Sequence, residues 1–114
     1  MSKVFALHYF EVKPDMTVED LERFLVTHPY PTLPGWRTYY IKGERGVRKG
    51  KYAILHEFDS AEIRDRYFPN EDGLPNPEFQ ALLNSPQMQS LRGKWGNFAT
   101  SPLYAIYTDY TVIG

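Results

Sequence analysis

The apolar and polar positions of this chain alternate in two ways, with a period of two in some stretches and a helical period in others. The stretches with the shorter period are rich in β-branched and aromatic residues, which suit a pleated, half-buried surface. They are bounded by proline or glycine, which interrupt strand pairing or favour turns. This pattern predicts four strands, at residues 3–12, 36–42, 52–58 and 103–113.

The stretches with helical spacing predict helices between these strands. The first helix starts after Thr17 and the second after Ser60, because both hydroxyls can cap exposed backbone amides. A third helix is expected at residues 78–91, and Pro86 predicts a break or a restart within it. Residues 93–102 then form a predicted connector to the last strand.

The two halves of the chain repeat one pattern. Each has a strand that ends in His-x-Phe and an acidic residue, and each continues into a charged amphipathic helix, first from His8 and then from His56. The resulting order, β-α-β-β-α-β, predicts a ferredoxin-like α+β fold for residues 1–114 as one domain. Such a fold has one antiparallel sheet with helices on a single face. The other face needs cover, which we expect from a second copy of the chain.

The composition excludes several kinds of site. The chain has 114 residues, a formal net charge of −1 and no cysteine, so disulfides, thiolate nucleophiles and cysteine-bound metals are excluded. The three histidines, at 8, 28 and 56, are not at ligand spacing, and we expect no metal. There is no signal-peptide pattern and no apolar run of the roughly 20 residues that span a bilayer. We therefore expect a cytoplasmic protein that binds neither membranes nor nucleic acid.

Positive charges gather around the predicted hairpin loop at residues 43–50. A basic cluster is one feature of nucleic-acid-binding surfaces. We expect instead a solvated hairpin whose charge is balanced by acids elsewhere, such as Asp59, Glu62 and Asp65. The cluster comprises Lys42, Arg45, Arg48, Lys49 and Lys51.

Three short motifs resemble those of the dimeric α+β barrel superfamily. They are Phe10-Glu11-Val12-Lys13-Pro14-Asp15, Leu33-Pro34-Gly35-Trp36 and Glu57-Phe58-Asp59-Ser60. That superfamily includes the antibiotic-biosynthesis monooxygenase-like, ethyl-tert-butyl-ether-degradation-like and stress-responsive barrel families. The resemblance implies a homodimer whose two sheets close into a barrel. It also implies a small-molecule cavity, within the barrel or between each sheet and its helices.

The activities that the resemblance implies are diverse, and include cofactor-free oxygenation, isomerisation, dehydration and haem chemistry. The haem-degrading members use an Asn, Trp and His set that is not matched here, since Trp95 and Asn97 lie in the predicted connector. We therefore expect no haem and no other cofactor. The resemblance implies a cofactor-independent monooxygenase or isomerase that acts on an aromatic or polyketide-like compound. The alternative is a non-catalytic stress-related or ligand-sensing homodimer.

His8 and His56 are the candidate catalytic residues. We expect strands one and three to be parallel neighbours at the centre of the sheet, with both imidazoles on the same face. Imidazole is the natural acid–base group near neutral pH. The alternative is that both rings fill the core between sheet and helices. A well-enclosed cavity that touches either ring and nearby tyrosines favours the enzyme, and a barrel filled by its own tyrosines and leucines favours the structural role.

The other candidates are ligand-binding residues. Glu11 and Glu57 are candidates for a carboxylate pair with one raised pKa, and the alternative is that both are solvated or salt-bridged at the barrel rim. Arg37 and several tyrosines are candidates for stacking and hydrogen bonding with an aromatic or enolate-like ligand, and the alternative is dimer packing. These tyrosines are Tyr9, Tyr39, Tyr104, Tyr107 and Tyr110.

Overall fold

The computed structural model describes residues 2–69, 76–101 and 107–114. Within these ranges the chain order is strand, helix, two strands, three helices and a last strand. The elements are β1 (Val4–Phe10), α1 (Val18–Thr27), β2 (Trp36–Lys42), β3 (Tyr52–Phe58), α2 (Ala61–Tyr67), α3 (Pro77–Leu83), α4 (Pro86–Trp95) and β4 (Tyr107–Thr111).

Each helix begins where a polar side chain caps it. The hydroxyl of Thr17 accepts a hydrogen bond from the backbone N–H of Asp20, and Ser60 does the same for Ile63. These side chains satisfy amide donors that have no partner inside the helix. The predicted starts of α1 and α2 are therefore confirmed.

The predicted third helix is two helices, as Pro86 indicated. The first, α3, ends at Leu83, and Ser85 then caps α4 by accepting from the N–H of Met88. The predicted connector at residues 93–102 is wrong at its start, because α4 continues to Trp95. The reason is burial: Trp95 lies seven residues after Met88, on the same helix face, and is only 4% exposed.

The four strands form one sheet in the order β2-β3-β1-β4, and every neighbouring pair is antiparallel. The expectation that the first and third strands are parallel is therefore wrong. The helix α1 returns the chain so that β2 runs in the direction of β1, with a gap between them. The hairpin places β3 in that gap, and β3 must then run opposite to both neighbours.

The core lies between the helices and one face of the sheet. Sheet residues that alternate along β1, β2 and β3 join helix residues in one cluster of buried side chains. Its members include Val4, Ala6, Phe10, Trp36, Ile54 and Phe58 from the sheet, and Leu21, Phe24, Leu25, Met88, Leu91 and Trp95 from α1 and α4. We call this the helix-covered face of the sheet, and the other the open face.

The open face carries apolar side chains that no described helix covers. Phe5, Leu7 and Leu55 are half-buried there. Other apolar and aromatic residues of this face are exposed, among them Tyr9, Tyr39, Ile41 and Tyr110. No helix within the described ranges is long and apolar enough to cross a membrane.

Candidate functional site

The sheet register divides the candidate residues between its two faces. His8 lies opposite Ile54 on β3, and His56 lies opposite Ala6 on β1, so both histidines are on the helix-covered face. Tyr107 pairs with His8 and shares that face. Tyr9, Arg37, Tyr39, Glu57 and Tyr110 are on the open face. The candidate residues therefore form two groups, with the sheet between them.

His56 is a buried, neutral imidazole. His56 is only 5% exposed. Its Nδ1 accepts a hydrogen bond from the indole Nε1–H of Trp36 at 3.1 Å. The proton of the neutral ring is therefore on Nε2. Burial, and secondarily the charge of His8, lowers the pKa of His56 to about 3. This ring stays uncharged at neutral pH.

His8 is half-buried and touches aromatic rings on two sides. Its ring centroid is 4.9 Å from that of His56, in an edge-to-face arrangement, and 5.3 Å from that of Tyr107, in a stacked one. Tyr107 is 43% exposed. The two histidines are thus brought together with one of the candidate tyrosines, and His8 is the more accessible imidazole of the pair.

Glu57 forms the centre of an ion-pair network on the open face. It accepts hydrogen bonds from Lys3 Nζ at 2.8 Å, from Arg37 Nε at 3.0 Å and from the hydroxyl of Tyr39 at 3.3 Å. Arg37 also donates to Asp59 at 2.5 Å. The hydrogen bonds from Lys3 and Arg37 lower the pKa of Glu57 to about 2. This carboxylate is salt-bridged and ionised, so it lacks the raised pKa of a general acid.

Glu11 and Glu57 do not form a pair. Because β1 and β3 are antiparallel, Glu57 lies opposite Phe5, six residues before Glu11. At about 3.3 Å per residue this separates them by roughly 20 Å. Glu11 follows the end of β1, where its backbone N–H donates to the hydroxyl of Ser101. The candidate carboxylate pair is therefore wrong, because β1 and β3 run in opposite directions. The alternative of a salt-bridged carboxylate agrees with the contacts of Glu57.

The basic hairpin is tied to the sheet and α1 rather than to the acids expected to balance it. Lys42 pairs with Glu22 at 3.0 Å, and the Arg48 guanidinium lies over the ring of Tyr9, 4.0 Å from its centroid. Asp59 and Asp65 instead pair with Arg37 and Arg64. The predicted balance by these two acids is wrong because they follow the opposite end of β3. Tyr104 lies outside the described residues.

A cleft of about 310 Å³ opens beside the outer edge of β2. The sequence did not indicate it, because one wall comes from the proline-rich segment after α1. Tyr30 in that wall contacts the His56 ring edge-on, with centroids 5.0 Å apart. Its lining residues are Leu25, Pro29, Tyr30, Thr32, Arg37, Thr38, Tyr39 and Tyr40.

Within the described part of the chain, no three His, Cys, Asp or Glu side chains lie close enough together to hold a metal ion. His28, the third histidine, lies at the end of α1. Its ring stacks on Phe24 with centroids 4.4 Å apart. It is not part of the pair formed by His8 and His56.

Solved structures share this fold at low sequence identity. A protein assigned as an antibiotic biosynthesis monooxygenase from Chloroflexus aurantiacus has a TM-score of 0.54 at 13% identity, and the match covers 99% of this chain and 95% of that one. A dabb family protein with a ferredoxin-like fold from Mesorhizobium loti has a TM-score of 0.52 at 10% identity, covering 100% and 98%. An uncharacterized NIPSNAP-like domain protein from Burkholderia xenovorans has 0.52 at 14%, covering 98% and 84%.

No protein-family model and no curated protein matches the chain. At identities this low, the likeness to solved structures concerns the fold and not the activity. The observed strand order and the helices on one face agree with it. The chain has a ferredoxin-like α+β fold, as the order of its strands and helices predicted.

Proposed function

We propose that this protein is a cytoplasmic homodimer that binds a small aromatic or polyketide-like molecule and removes a proton from one of its acidic carbons. It would act as a cofactor-independent monooxygenase or an isomerase. The observation that carries this proposal is the contact of His8 with neutral His56 and with the ring of Tyr107. This group joins an acid–base side chain to flat aromatic surfaces, which suits an aromatic ligand.

His8 is the proposed general base, and His56 is a positioning residue. His8 is half-buried, so one part of its ring can meet a ligand. His56 is held by Trp36 and is too deeply buried to do so. Because His56 stays neutral, only one positive charge arises at the pair when His8 takes a proton. Two adjacent imidazolium rings would repel each other.

The proposed chemical step is a proton transfer. Neutral His8 takes a proton from an acidic C–H bond, and the bonding electrons remain on the ligand as an enolate. In an isomerase, the proton returns to a different carbon. In a monooxygenase, dioxygen adds to the enolate; with an anthrone, the methylene carbon becomes a carbonyl and one oxygen atom leaves as water.

The open face supports the homodimer. Its exposed Tyr39, Ile41 and Tyr110, with half-buried Leu7 and Leu55, form an apolar surface that a second sheet can cover. An obligate interface of this kind buries more than roughly 2,000 Å² in total. Arg37 and Glu57 would then lie at the barrel rim, where their ion pairs stay hydrated.

Deuterium exchange tests the proton transfer directly. Anthrone, whose methylene is acidic, is incubated in deuterated buffer without oxygen, and loss of its methylene signal is followed by proton NMR. We expect exchange above the uncatalysed rate with the native chain. Replacing His8 with Gln is expected to reduce the catalysed rate by about 10²-fold or more. His28→Gln, which changes a histidine outside the pair, serves as the control.

The outcomes separate the candidate functions. Exchange that continues unchanged in His8→Gln would refute the role of His8, provided that thermal melts show both variants folded. Binding of anthrone without exchange favours the ligand-sensing alternative. Admitting air then distinguishes the two enzymes, because only a monooxygenase converts anthrone to the quinone faster than the uncatalysed reaction.

A further inference from the structure

A carboxylate lies near His8 on the helix-covered face of the sheet. On β4, Asp109 is two residues after Tyr107, which lies opposite His8. Asp109 itself lies opposite Ala6 of β1. Directly opposite residues of an antiparallel pair share a face, so all of these side chains lie on the helix-covered side. Asp109 is therefore a diagonal neighbour of His8, at a distance of roughly 7–8 Å.

Arg64 of α2 extends to this carboxylate and is held by it. Its Nη1 donates to Asp109 Oδ2 at 2.6 Å, and its Nε donates to Asp65 Oδ1 at 2.7 Å. The two carboxylates thus fix the plane of the guanidinium. Within the described part of the chain, the Nη2 group of Arg64 makes no hydrogen bond. Its two N–H donors remain for a ligand.

This part of the helix-covered face is accessible to a ligand. Tyr107 is 43% exposed, whereas His56 is 5% exposed, so the helices cover β4 less completely than β3. The side chains of Arg64 and Asp109 are 25% and 31% exposed. In the proposed homodimer the second copy covers the open face, which is the other side of the sheet. The region between α2 and β4 therefore stays available in the dimer.

A fixed arginine donor suits the charge that the proposed proton transfer creates. When a base removes a proton from a carbon next to a conjugated carbonyl, negative charge develops on the carbonyl oxygen. Donors already aimed at such an oxygen stabilise the transition state. Asp109 offsets part of the charge of Arg64 but keeps its donors in place. Asp65 offsets less, because its side chain is 60% exposed and its charge is screened by water.

We infer that Arg64 donates a hydrogen bond to the enolate oxygen that forms when His8 takes a proton, and that Asp109 is the positioning residue that holds Arg64. The electron pair of the broken C–H bond moves to that oxygen, and no oxidant is consumed. This inference rests on the proposed function and adds a substrate class to it. His8 and Asp109 are diagonal rather than direct neighbours, so the ligand carries its carbonyl across a ring from the acidic carbon, as anthrone does.

Binding of 4-nitrophenol to the full chain tests the role of Arg64 apart from the reaction. The phenolate form carries its charge on an oxygen, as an enolate does, and it is distinguished from the phenol by its visible absorbance. We expect the native chain to bind the phenolate more tightly than the phenol. Arg64→Met should reduce this ratio of affinities at least tenfold, because a hydrogen bond to a charged group is lost. Arg64→Lys, which keeps the charge, should retain part of the ratio.

Arg66→Met is the matched control, because Arg66 is on the same helix and pairs with Glu78. It should leave the ratio unchanged. A merely structural role of Arg64 would weaken the binding of phenol and phenolate equally, and that result would overturn the inference. The inference would also fail if Arg66→Met lowered the ratio as much, or if no saturable binding occurred up to millimolar 4-nitrophenol.

The exchange assay with anthrone separates this inference from the proposed function. Arg64→Met should slow the catalysed exchange by about 10²-fold, as the loss of an oxyanion donor does. His8→Gln should also slow the exchange but should keep the preference for phenolate. Exchange that persists in His8→Gln would refute the role of His8. A preference for phenolate that is lost in His8→Gln and kept in Arg64→Met would refute the role of Arg64.

Discussion

The hydrogen bond between Trp36 and His56 leads to a prediction about stability and pH. The His56 ring is 5% exposed, and its folded pKa is about 3, below the ordinary value of 6.5. A histidine with a lowered folded pKa binds protons more readily when the chain unfolds. The contribution of His56 to the free energy of unfolding is therefore complete above pH 6.5, and it declines as the pH falls from 6.5 toward 3.

The size of the effect follows from the width of that window. Each pH unit between the two pKa values costs about 1.4 kcal/mol. From pH 6.5 to pH 5 the loss due to His56 is therefore about 2 kcal/mol. The pKa of Glu57 is lowered as well, but its ordinary value is 4.5, so its contribution begins to decline only below about pH 4.5.

Two substitutions separate titration of His56 from its hydrogen bond. His56→Asn keeps an acceptor near the position of Nδ1 and removes the titrating group. His56→Leu removes both, and leaves the Trp36 N–H without its partner at a cost of about 1–3 kcal/mol. We expect urea unfolding at pH 7 to show the larger loss for His56→Leu. Between pH 7 and pH 5, His56→Asn should lose about 2 kcal/mol less than the native chain. If the stability of His56→Asn depended on pH as strongly as that of the native chain, the assignment of a buried, neutral His56 would be refuted.

Four further predictions follow from particular contacts. Gly35→Ala should lower the free energy of unfolding in urea by about 1–2 kcal/mol, because Gly35 has φ of +81° and an added Cβ would lie 2.6 Å from Ile63 Cδ1. An unchanged free energy of unfolding would contradict this backbone conformation. Tyr67→Phe should lower the free energy of unfolding by about 1 kcal/mol, because the buried hydroxyl donates to the Pro34 carbonyl at 2.7 Å. An unchanged urea midpoint would contradict that hydrogen bond. Glu57→Gln should weaken the decline in stability between pH 4.5 and pH 2, since its ion pairs stabilise the fold only while the carboxylate is charged. Leu55→Glu on the open face should convert the proposed homodimer to a 13.3 kDa monomer in light scattering, whereas Val26→Glu, at an 81% exposed position of α1, should not.

The sequence predicts the elements well where local chemistry determines them. β2 and β3 have the predicted bounds, and β2 lies between two glycines, Gly35 and Gly43. Pro86 marks a real break, because proline lacks the N–H that a helix interior needs. The end of α4 was missed because two glycines near Trp95 favour a connector locally, whereas burial of the Trp95 side chain favours the helix.

The site is less predictable because it depends on contacts that are distant in sequence. The period of two places His8 and His56 on one face, which the 4.9 Å contact confirms. That period does not determine strand direction, and for this reason Glu11 and Glu57, which were candidates for a pair, lie far apart. The bond from Trp36 to His56 joins residues 20 positions apart, and the cleft needs the segment after α1 to lie along β2. Neither could be read from spacing.

A crystal structure of the protein with anthraquinone would test the central claim most directly. Anthraquinone has the ring system of anthrone but no acidic methylene, so it can bind without reacting. We predict two chains that meet through their open faces, with the ligand against His8 and Tyr107 on the helix-covered face. A monomer whose open face contacts only solvent, or a ligand found only away from His8, would contradict the account.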